Sequence, residues 1–547
     1  MISLLDKFPD GYPLGRPKYL AKEQHMWQRR LALAGAIAIT AALALSACSG
    51  PSDAQTTDGV RGDKLSVQFT GVPISLNPAL AGGGGSVVFT TLAYDPLIYL
   101  SGDGKLVPDL ATEWKFRDDE NTQLELIIRK GVTFQDGAQL DAHAVANSMN
   151  YFMEAGGGQV GSVGPIDTIT AEDDDTVLIT YKTSFPAAPT RLTQANQLGL
   201  IIGPEALKNP ESLLTTMDGT GPYTYNPDTS VAESTYTYDR WDGYWNPDAQ
   251  KYEQISVQVI GDPNAVISAA TTGQVDFAAG GADTADAAAS AGLSTISAPY
   301  FNYGLIILDR KGEIVPALAD EKVRQAMGYA VDRAAIVAAR GGDEFASAID
   351  QLTADGEQGH DDGIGFDHDM QKAKSLMAES DYPDGFSMTL LSESPLDNQS
   401  LITQTAIAHL KEIGVKVTLD VASAIPDFIQ KAGSKKYPAI VWPIVGDTAS
   451  DYAQTFTGQG FTNAFGVADH DLDDLVAQAI VATGDEKEAL EKQVSARSNE
   501  LAWFLPLIAT KNVYYVSPHV AGVQISPLNP NPIPVAPSAD LAWRPAQ

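Results

Sequence analysis

Two periodicities of apolar residues alternate along this chain, and that alternation restricts its fold more than any other feature of the sequence. Residues 65–69 alternate apolar and polar side chains, as a half-buried strand does. Residues 264–272 follow a helical pattern that ends at Gly273, and a strand pattern follows at 275–278. The order helix, glycine and strand recurs over residues 402–421. Such interleaving predicts an α/β fold and disagrees with a helical bundle or a β-sandwich.

One further helix is predicted from the apolar stripe within residues 323–334. Asp320 is placed to cap its first turn, because a carboxylate there can accept hydrogen bonds from free backbone amides. Gly341 and Gly342 are the predicted stop, since glycine readily adopts the left-handed conformation that follows a helix. The pattern predicts one continuous helix between the cap and the stop.

Cys48 is the single cysteine of the chain. It follows Trp27-Gln28-Arg29-Arg30 and an almost wholly apolar stretch, which together have the basic start, apolar core and small final residues of a secretory signal. Leu45-Ser46-Ala47-Cys48 also resembles a bacterial lipobox, in which the cysteine carries a lipid anchor. The sequence thus predicts a signal peptide at 1–47 and a lipidated Cys48. The alternatives are that Cys48 ends an uncleaved membrane segment or stands there by chance.

The segments on either side of this signal carry two smaller predictions. Residues 1–25 include acidic residues, prolines and glycines that are unusual ahead of a signal. We expect translation to begin at Met26, and the alternative is a cytoplasmic extension. Residues 48–64 are rich in Ser, Asp, Gly and Thr, which predicts a flexible tether.

Charge and composition exclude several classes of function. The formal net charge of −33 at pH 7 argues against nucleic-acid binding, which needs a basic face. With one cysteine the mature chain has no disulfide, and it is long enough to bury large cores without one. No long apolar stretch follows Cys48, so no later segment is predicted to span a membrane.

Enzyme motifs are not found in the sequence. The glycine-rich run 82–86 lacks the Gly-Lys-Ser/Thr of a P-loop, and no Gly-x-Ser-x-Gly or His-Glu-x-x-His motif occurs. His360 and His368 with their neighbouring aspartates, or the acidic run around His470, could ligate a cation. The alternative is that these are solvated loops and acidic helix starts. We therefore predict no catalytic residue, no metal site and no cofactor.

Several short motifs, in one order along residues 65–515, together resemble the family of extracytoplasmic solute-binding proteins that serve peptide, nickel and related ABC importers, known as family 5. They are Ser75-Leu76-Asn77-Pro78, Asp95-Pro96-Leu97-Ile98, Val107-Pro108-Asp109-Leu110-Ala111, Arg129-Lys130-Gly131-Val132, Gly219-Thr220-Gly221-Pro222-Tyr223, Gly273-Gln274-Val275-Asp276, Val331-Asp332-Arg333 and Tyr382-Pro383-Asp384-Gly385-Phe386. Each motif is weak alone, whereas their common order is specific.

The resemblance implies a two-lobed, periplasmic-binding-protein-like fold with an extra domain on the first lobe. The implied boundaries are 65–95, 216–303 and 516–547 for lobe I, 96–215 for the extra domain and 304–515 for lobe II. Ligand that touches both lobes would favour the closed state by its differential contacts. The implied protein is a monomeric, lipid-anchored receptor on the outer face of the bacterial cell membrane, and it is not an enzyme. Its implied partners are an ABC permease and its ATPase.

The resemblance also implies where ligand binds. Peptide-binding relatives pair the ligand's amino terminus with an aspartate that follows a tryptophan in the second lobe. The matching stretch runs from Trp442 through Gly446 to Asp447, and Asp451 is the second candidate. The alternatives are that both aspartates cap a turn and that Trp442 only packs in the core. Asn302 and Tyr303, beside the expected crossing between lobes, are further predicted contacts.

The predicted ligand is an oligopeptide or dipeptide captured for import. The family also includes binders of metal chelates, haem and oligosaccharides, so these stay open as alternatives. A surface sensor that keeps the fold without a transport role is a further alternative.

Overall fold

The structure is a computed structural model that describes residues 62–393 and 398–546. Its strands are β1 Gly62–Phe69, β2 Ile98–Leu100, β3 Leu106–Pro108, β4 Ala111–Phe116, β5 Gln123–Ile128, β6 Ile166–Ala171, β7 Thr176–Tyr181, β8 Tyr223–Tyr225, β9 Thr235–Arg240, β10 Tyr252–Val259, β11 Phe277–Ala279, β12 Ser294–Ile307, β13 Ala346–Ala348, β14 Ser387–Glu393, β15 Lys416–Ala422, β16 Ala439–Ile444, β17 Phe504–Val516, β18 Val520–Ala521 and β19 Arg544–Pro545. Its helices are α1 Val88–Thr91, α2 Ala142–Ala155, α3 Pro204–Lys208, α4 Pro263–Thr271, α5 Ala285–Ser290, α6 Glu321–Ala330, α7 Arg333–Ala339, α8 Met370–Glu379, α9 Asn398–Glu412, α10 Ile425–Gly433, α11 Ala449–Thr457, α12 His470–Val481 and α13 Gly484–Leu501.

Two long antiparallel strands, β12 and β17, join the two halves of the main sheet. The strand order is β15-β14-β16-β12-β17-β11-β1-β10-β9-β8. The first half of the sheet, β11-β1-β10-β9-β8, borders the carboxyl end of β17, and the second half, β15-β14-β16, borders the carboxyl end of β12. The two long strands pair with each other along almost their whole length, from Ser294 opposite Val516 to Ile306 opposite Phe504.

A separate sheet of four strands, in the order β4-β5-β7-β6, packs beside the first half. Its inward residues alternate along each strand, as in β5, where Leu124, Leu126 and Ile128 are buried. Helix α2 covers this sheet with Met149 and Phe152. The four-stranded sheet and α2 therefore share a hydrophobic cluster of their own.

Each half of the main sheet has its own hydrophobic clusters. The first half buries Leu65, Tyr238 and Val257 with Trp543 of the C-terminal segment. The second half is covered on both faces, because alternate residues of β12 enter different clusters. Its Leu305 joins one cluster and its Ile306 joins the other. The domain boundaries given above stay a prediction.

Several local predictions are confirmed, and two are wrong. The strand predicted at 65–69 is β1, the strand near 415–421 is β15, and Asp320 caps α6 by accepting a hydrogen bond from the Lys322 amide at 2.9 Å. The stripe within 323–334, however, forms two helices instead of one. Val331 is extended, and the side chain of Asp332 accepts a hydrogen bond from the Ala335 amide at 2.9 Å, so a new helix begins there.

Of the N-terminal predictions, only the last three residues of the predicted tether lie within the described residues. Cys48, the signal peptide and residues 48–61 of the tether lie outside the described residues. Residues 62–64 belong to β1, since Gly62 pairs with Tyr252 and Lys64 with Gln254, and the predicted tether is therefore too long by three residues. Within the described ranges, no helix has both the length and the apolar character needed to cross a bilayer.

Candidate functional site

The carboxyl ends of strands from both halves of the sheet face one short segment of the two crossing strands. In the second half, β16 ends at Ile444, which pairs with Asn302 of β12. In the first half, β11 runs parallel to β1 and ends at Ala279, which pairs with Tyr514 of β17. Ligands of open α/β sheets bind outside the carboxyl ends of the strands. The geometry therefore places the candidate cleft over the crossing.

The width of the crossing follows from its pairing. Ala298 pairs with Asn512 on the side of the first half, and Asn302 pairs with Ala509 on the side of the second. The four steps from Ala298 to Asn302 span about 13 Å at the usual rise of about 3.3 Å per residue. A ligand that reaches both strand edges must bridge roughly this distance.

The first half presents an apolar cavity of about 280 Å³ at this crossing. It lies at the carboxyl ends of β1 and β11, and the C-terminal segment forms one of its walls. Its large apolar lining residues are Phe69, Val88, Phe277, Tyr300, Tyr514 and Trp543. Phe277 stacks on Tyr514, with ring centroids 4.7 Å apart, and also contacts Trp543 at 4.7 Å.

The polar side chains around this cavity are largely hydrogen-bonded to one another. Gln68 donates to the Ile260 carbonyl at 2.7 Å and accepts from the Ala279 amide at 2.9 Å. Asn512 donates to Asn531 Oδ1 at 3.1 Å, and the Tyr514 hydroxyl donates to the same oxygen at 3.3 Å. The cavity consequently offers aromatic faces more than free polar groups.

On the opposite side, the loop between β16 and α11 carries the predicted aspartates. Thr448 caps α11 by accepting a hydrogen bond from the Asp451 amide at 3.2 Å. The buried carboxylate of Glu491 accepts from the Ser450 amide at 2.7 Å and from the Ser450 hydroxyl at 2.8 Å. Gly446 is required here, because a Cβ at this position would lie 2.6 Å from the Asp451 Cβ. These contacts fix the loop against α11.

Asp447 is the solvent-exposed aspartate of this loop, although neighbouring protein surrounds much of its carboxylate. Its backbone amide donates to Asp451 Oδ2 at 3.3 Å, so Asp451 is partly used in holding the loop. Burial by the surrounding protein raises the pKa of Asp447, and repulsion from Asp451 raises it further. The positive charges of Arg191 and Lys487 act in the opposite direction on this pKa.

Arg191 brings a positive charge from the neighbourhood of the four-stranded sheet towards Asp447. It lies in the short 3-10 helix Ala188–Leu192, which packs in the same cluster as that sheet. Its Nε is shielded from solvent and has no hydrogen-bond partner in the described part of the chain. The guanidinium is near enough to lower the pKa of Asp447. Arg191 and Asp447 thus present opposite charges from different parts of the chain.

Asn302 and Tyr303 lie behind the candidate cleft. Asn302 is 2% exposed and donates from Nδ2 to the Leu352 carbonyl at 3.3 Å. Tyr303, at 4% exposure, points to the opposite face of the sheet and packs with Leu305 in the core. Their placement gives no support for direct ligand contact, because both side chains are already packed inside. Next to Asn302, Glu357 accepts from the Tyr452 hydroxyl at 2.9 Å, and burial raises the pKa of Glu357.

Trp442 packs against two aromatic neighbours. Its ring stacks on Phe428, with centroids 4.7 Å apart and an interplanar angle of 16°. Phe461 meets it edge-on at 5.2 Å. The side chain is nevertheless only partly buried, so an edge of the indole stays accessible beside the loop. Packing therefore accounts for one face of Trp442, and a role in walling the cleft stays a prediction.

Several residues of this site were not found by sequence reasoning. Arg191 stands in no recognisable motif, and Glu357 lies in a stretch, 341–365, that diverges from the family pattern. The aromatic residues of the cavity come from five separate places in the chain and form no local pattern. A sequence signal could have found only Tyr300, next to the expected crossing.

The histidine and aspartate groups do not form a cation site in the described ranges. No group of three or more His, Cys, Asp or Glu side chains there is arranged to hold a metal ion. His470 instead starts α12, whose cap Asp469 accepts from the Leu472 amide at 2.9 Å. His360 lies 3.3 Å from Asp362 on a loop.

Comparison with known families identifies one match. Residues 105–465 match the model of the bacterial extracellular solute-binding proteins, family 5 middle. This match covers the four-stranded sheet, the crossing strand β12 and much of the second half. It therefore spans more than half of the chain.

Individual relatives and solved structures agree with this match. The glutathione-binding protein GsiB of Escherichia coli K12 is 26% identical over 470 residues, covering 79% of this chain and 86% of GsiB. The ABC transporter substrate-binding protein CtaP of Listeria monocytogenes superposes with a TM-score of 0.76 at 21% identity, covering 89% of this chain and 100% of CtaP. The DppA protein of Helicobacter pylori, solved with the peptide STSA, gives a TM-score of 0.70 at 18% identity, with coverages of 89% and 99%. The two structural matches establish the two-lobed fold.

Proposed function

Because this chain belongs to family 5 of the bacterial extracellular solute-binding proteins, we propose that it captures a small peptide in the cleft over the crossing strands and delivers it to an ABC permease. Proteins of this family are extracytoplasmic binding components of ABC importers, and they are not enzymes. The finer statement, that the ligand is a peptide with a free amino terminus, is our proposal.

The single observation that carries the proposal is the position of Asp447. Its side chain is exposed and follows β16 at the carboxyl edge of the sheet, on a loop that the Thr448 cap holds against α11. A ligand ammonium can pair with this carboxylate in a partly desolvated cleft, where such charge-assisted hydrogen bonds are strong. Asp451, Gly446 and Trp442 would support the same subsite. Two relatives bind glutathione and the peptide STSA, and this supports a peptide ligand here.

The lobes and the anchor complete the proposed mechanism. Lobe I is proposed to comprise 65–95, 216–303 and 516–547, with 96–215 as its extra domain and 304–515 as lobe II. Ligand contacts to both lobes would stabilise the closed form, which docks on the permease. Cys48 is proposed to carry the lipid that keeps the receptor at the membrane.

Native mass spectrometry of the purified protein, followed by calorimetry with the peptide that it identifies, tests the proposal. We expect Asp447→Ala to weaken binding by about 30-fold or more, because loss of one partner of a buried charge pair costs about 2–5 kcal/mol. Asp381→Ala, an exposed aspartate in the same proposed lobe, should bind as the wild type does. Equal affinities of wild type and Asp447→Ala would remove Asp447 from the site.

Fractionation of cells that express Cys48→Ala tests the anchor. We expect this variant to leave the membrane fraction after its signal is cleaved, since no other segment would hold it there. Continued membrane association of the cleaved variant would disprove lipidation at Cys48.

A further inference from the structure

We propose that the 280 Å³ cavity of the first half-sheet is a subsite for an uncharged aromatic side chain of the ligand. This inference rests on the proposed function, because it adds the chemical class of the ligand to the same cleft. The cavity opens at the carboxyl ends of β1 and β11, beside the crossing strands, whereas Asp447 lies on the other side of the crossing.

The size of the cavity suits one side chain better than a whole ligand. Sites that enclose an entire small molecule usually have about 300–1,000 Å³. An apolar cavity of about 150 Å³ is already large enough to hold benzene. A cavity of about 280 Å³ therefore has room for a phenyl or indole group, while the backbone of a peptide would lie outside it.

The chemistry of the lining disfavours cationic groups. No Asp or Glu lines the cavity, although the chain contains 69 acidic residues. Lys511 is the one charged lining residue, and its exposed Nζ donates to the Asp343 carbonyl at 2.5 Å. The side chains of Gln68 and Asn531 are engaged in hydrogen bonds within the protein. A cationic side chain would lose its hydration here without gaining a partner, and an anionic one could pair only with Lys511.

The aromatic rings of the cavity lining already contact one another, and an aromatic ring of the ligand could join these contacts. Phe277 and Tyr514 are stacked, and Tyr300 and Phe69 contribute further ring atoms to the lining. Offset and edge-on contacts between aromatic rings add about 0.5–1.5 kcal/mol to the free energy gained by burial alone. The lining therefore favours a flat aromatic group over an aliphatic group of the same volume.

The width of the crossing decides which residue of a peptide bound at Asp447 can reach this cavity. The crossing between the two strand edges is about 13 Å wide, and an extended peptide advances about 3.3–3.6 Å per residue. An extended peptide covers this width in about four residues, but the side chain that enters the cavity itself reaches across part of it. With its ammonium at Asp447, a peptide can therefore bring the side chain of its second or third residue to the cavity. The structure thus predicts an aromatic preference at those positions and not at the first.

Calorimetry with a set of matched tripeptides tests the inference. The probes are Ala-Ala-Ala, Ala-Phe-Ala, Ala-Ala-Phe, Ala-Lys-Ala and Ala-Glu-Ala. We expect at least one of the two phenylalanine peptides to bind about 10-fold to 100-fold more tightly than Ala-Ala-Ala, as burial of one phenyl ring provides. The lysine peptide should gain nothing over Ala-Ala-Ala, and the glutamate peptide should bind less tightly than the better phenylalanine peptide.

Filling the cavity provides the matched variants. Ala279 lines the cavity, and Ala279→Phe places a ring inside it. We expect this variant to lose the preference for phenylalanine peptides over Ala-Ala-Ala. Ala279→Leu fills less of the space and serves if the larger substitution prevents folding. Ala289→Phe, on the exposed face of α5, should behave as the wild type does.

The outcomes separate this inference from the proposed function. If tripeptides bind and depend on Asp447 without preferring phenylalanine, the inference is wrong and the proposed function stands. If no peptide binds, 5-fluoroindole observed by fluorine NMR still tests the cavity. Binding of this probe to the wild type and not to Ala279→Phe would support the aromatic subsite and overturn the peptide proposal, and no binding to either protein would overturn both.

Discussion

At the scale of single residues, the proposed ammonium site depends on the surroundings of Asp447. The surrounding protein and the nearby Asp451 both disfavour its ionised form, and this raises its pKa. A ligand ammonium would relieve that cost, because it supplies the opposite charge at the same place. Arg191 and Lys487 supply part of this relief in the absence of ligand. Neighbouring charges of both signs therefore act on the pKa of Asp447.

Binding of an amine ligand should depend on pH through Asp447. The ionised carboxylate attracts an ammonium, whereas the protonated form does not, so affinity should fall as the pH is lowered through the raised pKa of Asp447. Arg191→Gln removes a charge that lowers this pKa, and the midpoint should therefore move to higher pH. Calorimetry of Ala-Ala-Ala between pH 4 and pH 8 measures the fall in affinity and the shift of its midpoint in Arg191→Gln. The affinity of Asp447→Asn should no longer depend on pH in this range. If that variant kept the pH profile of the wild type, the pH dependence would belong to another group.

At the scale of elements, the approach of the two crossing strands depends on a glycine. Gly304 of β12 lies beside a register shift, opposite Pro506 of β17. A Cβ at Gly304 would lie 2.3 Å from Phe504 Cε2 and 2.6 Å from the Leu505 carbonyl oxygen. The neighbouring backbone cannot move away without disturbing the pairing of the two strands. This contact therefore fixes the distance between β12 and β17 at the second half of the sheet.

Gly304→Ala should accordingly lower the free energy of unfolding by about 1–3 kcal/mol, the usual cost of overpacking a buried position. Urea denaturation followed by circular dichroism measures the change. Gly281→Ala is the matched control, because a Cβ there would meet no atom within 4 Å. A Gly304→Ala protein as stable as the control would show that the strands can separate at this point.

A second element-scale prediction concerns the loop that carries Asp447. Glu491 accepts two hydrogen bonds from Ser450 in a fully buried position. Glu491→Gln replaces one acceptor oxygen by an amide donor, so the Ser450 hydroxyl must accept instead of donate, which should cost about 1 kcal/mol of stability and also weaken ligand binding. Glu488→Gln on the same helix loses only an exposed pair with Lys492, worth about 0.5 kcal/mol or less. Thermal unfolding and calorimetry on both variants distinguish the two positions.

At the scale of the whole molecule, buried carboxyl groups lie where the first half-sheet meets the four-stranded sheet. Asp95 accepts from Trp245 Nε1 at 3.0 Å and from the Tyr244 hydroxyl at 3.3 Å. Burial raises the pKa of Asp95 to about 7, against an ordinary value of 3.8. Burial and the charge of Asp95 also raise the pKa of Asp109. Arg129 opposes both shifts with its positive charge.

The stability of the protein should therefore decrease as the pH rises from about 4 to about 7. Over that interval the folded state holds a proton on Asp95 that the unfolded state has released, and stability falls wherever the folded state binds more protons. Asp95→Asn should reduce the slope by up to about 1.4 kcal/mol per pH unit. Urea denaturation at several pH values measures this slope.

Asp103→Asn is the control for this measurement. Asp103 is exposed, and hydrogen bonds from Lys105 and Ser101 lower its pKa to about 2, below the interval tested. Its substitution should leave the slope between pH 4 and pH 7 unchanged. Equal slopes in wild type and Asp95→Asn would assign the pH dependence to other groups, such as Asp218, whose pKa burial also raises.

The sequence predicted the fold class and the order of elements because these depend on local periodicity and caps. β1, β15 and the Asp320 cap follow directly from neighbouring residues. The interruption at Asp332 was missed because a helical stripe continues across it, and only the competing cap ends α6. Asp447 could be proposed from its place after Trp442.

Arg191 and the aromatic cavity could not be proposed in the same way. Their positions depend on contacts between residues far apart in the chain, such as Phe69, Phe277 and Tyr514, and no local pattern records such contacts. The buried placement of Tyr303 likewise depends on which face of β12 packs against the core.

The pairing of β17 with β11 and β12 also has a consequence for synthesis and export. The first half of the sheet packs β1 in one cluster with Val516, Ile533 and Trp543, which are synthesised several hundred residues after it. Its hydrophobic core is therefore incomplete until those residues have been made. Translocation across a membrane in the unfolded state needs such a delay. The topology itself can provide it, because the first half to be translated is the last that can finish folding.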